Sequence, residues 1–429
     1  MNTFKNKWYK LDNAAKIFPA VITKETPAVF RIQAVLKEPI KIKSLQDCLD
    51  SVINRFPYFK VYLRKGFFWY YLDPNPLPFT ITPESDRPNK PFNLNKKYEY
   101  PLRVIVYKNH VSVEFAHILT DGTGGLEFLK TLLAAYFKKT GIIEVDWENI
   151  LNPDTKPDVE EFEDGYNRYF NRNVPKPDKI SKAFHLSDTK LKHHEFSSLL
   201  AQVDETKLHS LAISFNVSIT GLLAAVYLYC LQEIYLELPP KERKKNNPII
   251  RVQIPINLRN IFPSKTMRNF ALFIMPEIDM RLGTYSFEEI LKTVHHNMKL
   301  LSDKKQILKI IYRNVRSEKN IFVRLFPLFF KNIVLSILFK SLGTKLYSGV
   351  ITNLGKVNLP EEFSSHIDSF RFIAPPAPKL VKKNMAVISY NNKTIISFGD
   401  NSGSKQFEQK YIRFLIGKGL NIKVLTFKQ

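Results

Sequence analysis

Cysteine is nearly missing from this chain. Of 429 residues only Cys48 and Cys230 carry thiols, too few for a disulfide scaffold or a Cys-rich zinc module. Both sit in apolar helical patterns and read as small core residues. Glycine is scarce, with 15 in all, so any cluster of it carries information. Acidic residues are the short side of the charge: 40 Asp and Glu against 64 Lys and Arg leave +24 at pH 7. Long hydrophobic runs are lacking. Residues 1–19 hold Lys5, Lys7, Lys10 and Lys16 without the apolar stretch of a signal peptide. The greasiest segment, 321–339, is broken by Arg324, Pro327, Lys331 and Asn332, which argues against a spanning helix. The expectation is an intracellular, cytoplasmic protein.

What is present points to a large globular fold. A hydrophobic share of 44% with 24% charged residues excludes wholesale disorder, and 33 Phe with 19 Tyr can furnish a sizeable core. The length calls for two domains or one fold of two halves. The basic surplus suits an anionic partner: nucleic acid, a membrane surface or a phosphate-bearing small molecule. The lysines are scattered rather than blocked, which argues against a nucleic-acid footprint. The basic, aromatic segment 319–340 could lie on an anionic membrane, or could simply be an amphipathic helix covering the second half.

Patterning gives a coarse organisation. A helix is expected over 44–56, stopped by Pro57, followed by a hairpin of 59–63 with 67–72 through Lys65-Gly66. A second hairpin joins 102–107 to 111–119 at Asn109, and a helix over 125–139 closes at Gly141. The stretch 145–188 is rich in Pro, Asp, Glu and Asn. It suggests an N-terminal half over 1–160, a linker over 161–188 and a C-terminal half over 189–429. In that second half Asp204, Ser218 and the Ser286/Glu289 capping box begin helices. Strand-like runs lie at 249–256, 271–278, 350–352, 385–390 and 394–398. The mixture predicts an α/β protein of two similar layers.

Most familiar motifs fail on inspection. Gly122-Thr-Gly124 has Glu127 where a dinucleotide fingerprint needs its third glycine, and no P-loop exists. Gly399-Asp-Asn-Ser-Gly403 misplaces the serine of a nucleophile elbow. His193-His194 and His295-His296 lack zinc spacing and read as surface residues. One constellation survives, Glu114-Phe-Ala-His117-Ile-Leu-Thr-Asp121-Gly122-Thr-Gly-Gly125, at a strand-to-helix junction. By alternation His117 shares a face with Val111, Val113 and Phe115, while Ser112, Glu114 and Ala116 face the other way. A lone histidine there is more often core than catalyst. Three of the scarce glycines within four positions shift the balance, because they mark a sharp turn or a close approach.

At these residues the chain resembles the coenzyme-A-dependent acyltransferase superfamily, whose H-x-x-x-D-G follows a strand and precedes a helix. That group includes condensation domains, wax-ester synthases, BAHD acyltransferases and bacterial alcohol acetyltransferases, and the last are the nearest in pattern. Trp8-Tyr-Lys-Leu-Asp12, Arg55-Phe-Pro57, Gly66-Phe-Phe-Trp69, Ile254-Pro-Ile-Asn-Leu-Arg259, Arg268-Asn-Phe270 and Thr352-Asn-Leu-Gly355 are similar to that group, in order, over nearly the whole chain. The resemblance implies two pseudo-symmetric halves, each a two-layer sandwich of sheet and helices, with a central tunnel. It implies acyl transfer from acyl-CoA, as a co-substrate rather than a resident cofactor, or from an acyl carrier protein, to an alcohol or amine. His117 would be the general base and Asp121 would pair with an arginine, Arg259 first and Arg251 as runner-up. Gly122 would allow the turn, and Thr352, Asn353 and Gly355 would line the oxyanion and substrate side. No metal is implied. Two departures stand out: Ala116 occupies the place of a second histidine common in relatives, and Thr352 replaces a common serine. The competing readings are a non-catalytic binding module that keeps the fold, and a basic membrane-associated protein.

Overall fold

The computed structural model describes residues 8–23, 26–84, 87–187, 197–339, 343–378 and 380–425. The chain enters through β1 (Tyr9–Lys10), α1 (Phe18–Val21) and β2 (Val29–Leu36). Helix α2 (Ile42–Arg55) buries Leu45, Cys48, Leu49, Val52 and Ile53 on one face and ends before Pro57, which cannot continue it. Strands β3 (Val61–Lys65) and β4 (Tyr70–Pro74) form the expected hairpin and join β1 in a small sheet. After β5 (Thr82–Pro83), strands β6 (Leu102–Tyr107) and β7 (His110–Ala116) pair across a turn in which Lys108 takes φ +52°. Helix α3 (Gly122–Lys139) follows, and Gly141 at φ +69° stops it.

The rest of the chain builds the second sheet and its helices and returns one strand to the first. Short α4 (Gly165–Arg168) leads to β8 (Ser197–Asp204), α5 (Glu205–Ser214), α6 (Ile219–Glu237), α7 (Pro240–Lys245) and β9 (Ile249–Asn257). Asp204 and Ser218 cap α5 and α6 by accepting the N–H groups of Lys207 and Gly221. Helix α6 is long and apolar enough to cross a membrane, yet most of it is buried inside the protein, as a core helix would be. The run 271–278 is two strands, β10 (Ala271–Ile274) and β11 (Glu277–Asp279), because Pro276 interrupts the ladder. Next come α8 (Phe287–Leu301), with its capping box intact, α9 (Lys304–Lys319), α10 (Ile321–Leu325) and α11 (Leu328–Leu338). The chain ends through β12 (Gly349–Lys356), β13 (Ile367–Ile373), β14 (Lys383–Tyr390), β15 (Lys393–Asp400), α12 (Gln406–Gly417) and β16 (Ile422–Leu425).

Two principal sheets result. One runs β13-β2-β7-β6-β5; the other runs β10-β9-β12-β14-β15-β8-β16, with β11 added on β9. Each is backed by helices, giving the expected α/β pair of two-layer halves. Strand β13 crosses over: it comes late in the chain but pairs antiparallel with β2, Phe372 opposite Ile32. Ser397 Oγ on β15 donates to the Phe372 carbonyl at 2.5 Å and ties this crossing strand to the second sheet. Both faces of the first sheet are buried. Val111, Val113 and Phe115 enter the core. On the opposite face Glu114 accepts from Arg31 at 2.9 Å and Arg103 at 2.8 Å, and Gln33 donates to Ser112. Paired in this way, buried charges are tolerable.

Candidate active site

His117 is the first residue past β7, where its backbone is held from both sides. Its N–H donates to the Ala28 carbonyl at 2.9 Å, and its own carbonyl accepts from Asn269 Nδ2 at 2.9 Å. The Asn269 amide also donates to buried Asp12 at 3.1 Å. Phe30 and Phe18 pack against the imidazole, with ring centroids at 4.7 and 5.4 Å. Burial pushes the imidazole down to about 4, opposed by the Asp121 charge and by hydrogen bonding with Thr120 and Asn269. At neutral pH it is therefore uncharged and free to accept a proton. It still keeps some accessible surface, because it borders a cavity.

Asp121 also borders that cavity, and its carboxylate works as a fastener. Its carboxylate caps α3 by accepting from the N–H groups of Thr123 (3.1 Å) and Gly124 (3.3 Å). It also accepts from the Phe270 N–H at 2.8 Å and from Arg259 through both Nη1 (2.9 Å) and Nη2 (3.3 Å). Arg259 in turn donates to the Thr266 and Arg268 carbonyls. The forked guanidinium thus binds the histidine loop of the first half to segment 266–270 of the second. Arg251 lies elsewhere, donating to Glu277, Ser181 and the Leu346 carbonyl.

The glycines serve close approach rather than an unusual backbone angle. A Cβ on Gly124 would lie 2.2 Å from both the Met267 carbonyl and Thr120 Oγ1, and one on Gly125 would lie 2.9 Å from the Phe30 ring. At Gly122 the obstacle is the tip of Leu354, 2.5 Å away. Gly355 does need its freedom, sitting at φ +77°. There the Asn353 side-chain oxygen accepts from the Gly355 N–H at 2.8 Å, while its amide donates to Thr220 Oγ1 at 3.0 Å.

A cavity of about 850 Å³ brings these pieces together. His117, Asp121 and Gly122 line it from the first half, and Thr352, Asn353 and Gly355 line it from β12. Arg259 stays behind the wall. His295, read from sequence as a surface residue, also borders this space, because the helix positions beside it on α8 turn Met298 and Lys299 inward. His296 is exposed as expected, and His193 and His194 lie outside the described residues. Sequence reasoning missed Phe18, Phe30 and Asn269 as neighbours of the imidazole; only the Arg268-Asn-Phe270 segment hinted at the last. No grouping of His, Cys, Asp and Glu fit for a metal occurs among the described residues. Both thiols are buried, and burial raises them, Cys48 to about 11, which removes them as nucleophiles.

No protein-family model matches the chain, and no curated protein matches it in sequence. Solved structures do. The epimerization domain from the third module of tyrocidine synthetase B superposes with a TM-score of 0.61 at 12% identity, over 96% of both chains. The first condensation domain of the CDA synthetase gives 0.59 at 12% identity, again over 96% of both. The trichothecene 15-O-acetyltransferase TRI3 from Fusarium sporotrichioides gives 0.59 at 10% identity, over 96% of this chain and 94% of that one. With its interlocked halves and the cavity between β7 and β12, the chain has the fold shared by condensation domains and this acetyltransferase.

Proposed function

We propose that the protein is an acyltransferase of the alcohol acetyltransferase type, with His117 as general base. The observation that carries this reading is an imidazole fixed by its backbone at a cavity wall and packed against aromatic rings. The donor would be an acyl-CoA or an acyl carrier phosphopantetheine, and the acceptor an alcohol or amine. His117 takes the acceptor's proton as its oxygen or nitrogen attacks the thioester carbonyl carbon. The carbon–sulfur bond then breaks, the proton passes to the departing sulfur, and an ester or amide leaves with the free thiol. No covalent enzyme intermediate is needed. The negative oxygen formed on the way requires donors. The Asp121 cap takes the N–H groups of Thr123 and Gly124 and leaves that of Gly122, which borders the cavity. The second N–H of the Asn353 amide is the other candidate.

The test is thiol release from acetyl-, butyryl- and longer acyl-CoA in the presence of mixed alcohols and amines. Turnover is expected with at least one pair, falling about 100-fold or more in His117→Ala, the range for loss of a general base. Release unchanged in that variant would overturn the assignment of the base. Donor binding without turnover would favour a non-catalytic binding module.

A further inference from the structure

Helices α10 and α11 and the turn between them expose ten large apolar side chains from Ile321 to Ile337, each at least 39% accessible and Phe322 at 81%. Single exposed hydrophobics are ordinary, but a contiguous aromatic patch marks an interaction surface. It continues onto a second element. The turn between β3 and β4 presents Phe67 at 72% exposure and Phe68 beside it. Leu328 donates its N–H to the Phe67 carbonyl at 3.0 Å, and Lys331 Nζ reaches the Phe68 carbonyl at 2.9 Å while lying 3.7 Å over the Trp69 ring. Lys331 is buried, so it acts as a clip that sets hairpin and helices into one surface.

The patch itself carries cations and no carboxylate along its own stretch of chain. From residue 319 to 337 the sequence holds no Asp or Glu, but has Lys319, Arg324 and Lys331. Arg324 is exposed within the patch and Lys65 is exposed beside Phe67, while the neighbouring Arg64 donates to Asp73 at 2.9 Å. We infer that this face docks on the surface of an anionic lipid bilayer, aromatic side chains in the interface and cations against the headgroups. A second copy of the chain fits less well, since like charges would meet across the contact. Spanning is excluded by length: the 11 residues of α11 reach about 16 Å, against a hydrocarbon core of about 30 Å. The inner side of α11 packs on α1, whose Phe18 and Val21 line the catalytic cavity, as does Phe339 just past α11. Docking would therefore bring the cavity to the membrane. The inference does not depend on the acyltransfer reading.

Flotation of the full-length protein with vesicles of phosphatidylcholine, with and without phosphatidylglycerol, tests it at low and high salt. Co-flotation is expected with the anionic vesicles, weakened by salt. Phe322→Ser with Phe329→Ser should cut it about tenfold or more, and Arg324→Glu about tenfold, on the scale of cation–headgroup attraction. Unchanged circular dichroism verifies that these surface variants fold. Failure of the wild type to float with anionic vesicles overturns the inference. So does a concentration-dependent dimer that the Phe pair abolishes while vesicle binding persists.

Discussion

A buried imidazole is a weaker base than a hydrated one, but it is not lost to protonation near neutrality. Because burial lowers the proton affinity of His117, its neutral form persists well into acid; if it serves as the proposed base, protonation removes that base and activity is lost on the acid side. We expect kcat/KM to stay level across the neutral range and to fall only as pH approaches about 4. An inflection near ~6.5, the value of a hydrated imidazole, would show that water reaches the ring and that burial does not tune it. His117, Asp121 and Gly122 could be found in the sequence because one loop must hold them in a fixed short spacing. Arg259, which joins Asp121 from 138 residues away, was reached through a resemblance. Phe18 and Phe30 have no such signal, and Asn269 has only the resemblance of its segment. All three meet the histidine through tertiary packing from separate segments, and an aromatic at position 18 or 30 looks like any other.

At the start of α3 the chain packs tightly against segment 266–270 and β12, and its glycines are not equivalent. At Gly124 a methyl group would meet the Met267 carbonyl and Thr120 Oγ1 at 2.2 Å, both in rigid surroundings, whereas at Gly122 it would meet only the end of the Leu354 side chain. Gly124→Ala is therefore expected to destabilise by about 1–3 kcal/mol, as overpacking does, and Gly122→Ala by less, although Gly122 belongs to the recognisable motif. Urea unfolding midpoints of the two variants decide it; the reverse order would mean that Leu354 cannot move aside. Helices with side-chain caps, such as those begun by Ser218 and Ser286, were legible because the cap is a local hydrogen bond. Strands β2 and β13 were not. Both are buried on two faces, one apolar and one holding Arg31, Gln33 and Arg371, so polar residues there do not mark a solvent side.

At the scale of the whole molecule, the crossing of β13 makes the halves mutually dependent. Strand β2 has all eight residues buried and uses β13 along one edge, while Phe370 and Phe372 enter the first half's core. Residues 1–160 produced alone would leave that edge unpaired and part of the core open. They are expected to lack cooperative thermal unfolding and to aggregate, with order restored when 161–429 is supplied in trans. A cooperative melt of the fragment by itself would show that the first half is an independent domain. The same strand sets a schedule for the chain in the cell. At about 5–20 residues per second, the 331 residues separating Leu36 from Ile367 delay the arrival of β13 by some tens of seconds after its partner is made. Throughout that interval the nascent first half carries an apolar sheet edge, and its safe passage depends on the ribosome's surroundings, on chaperones that shield such edges and on how quickly the last quarter of the message is translated.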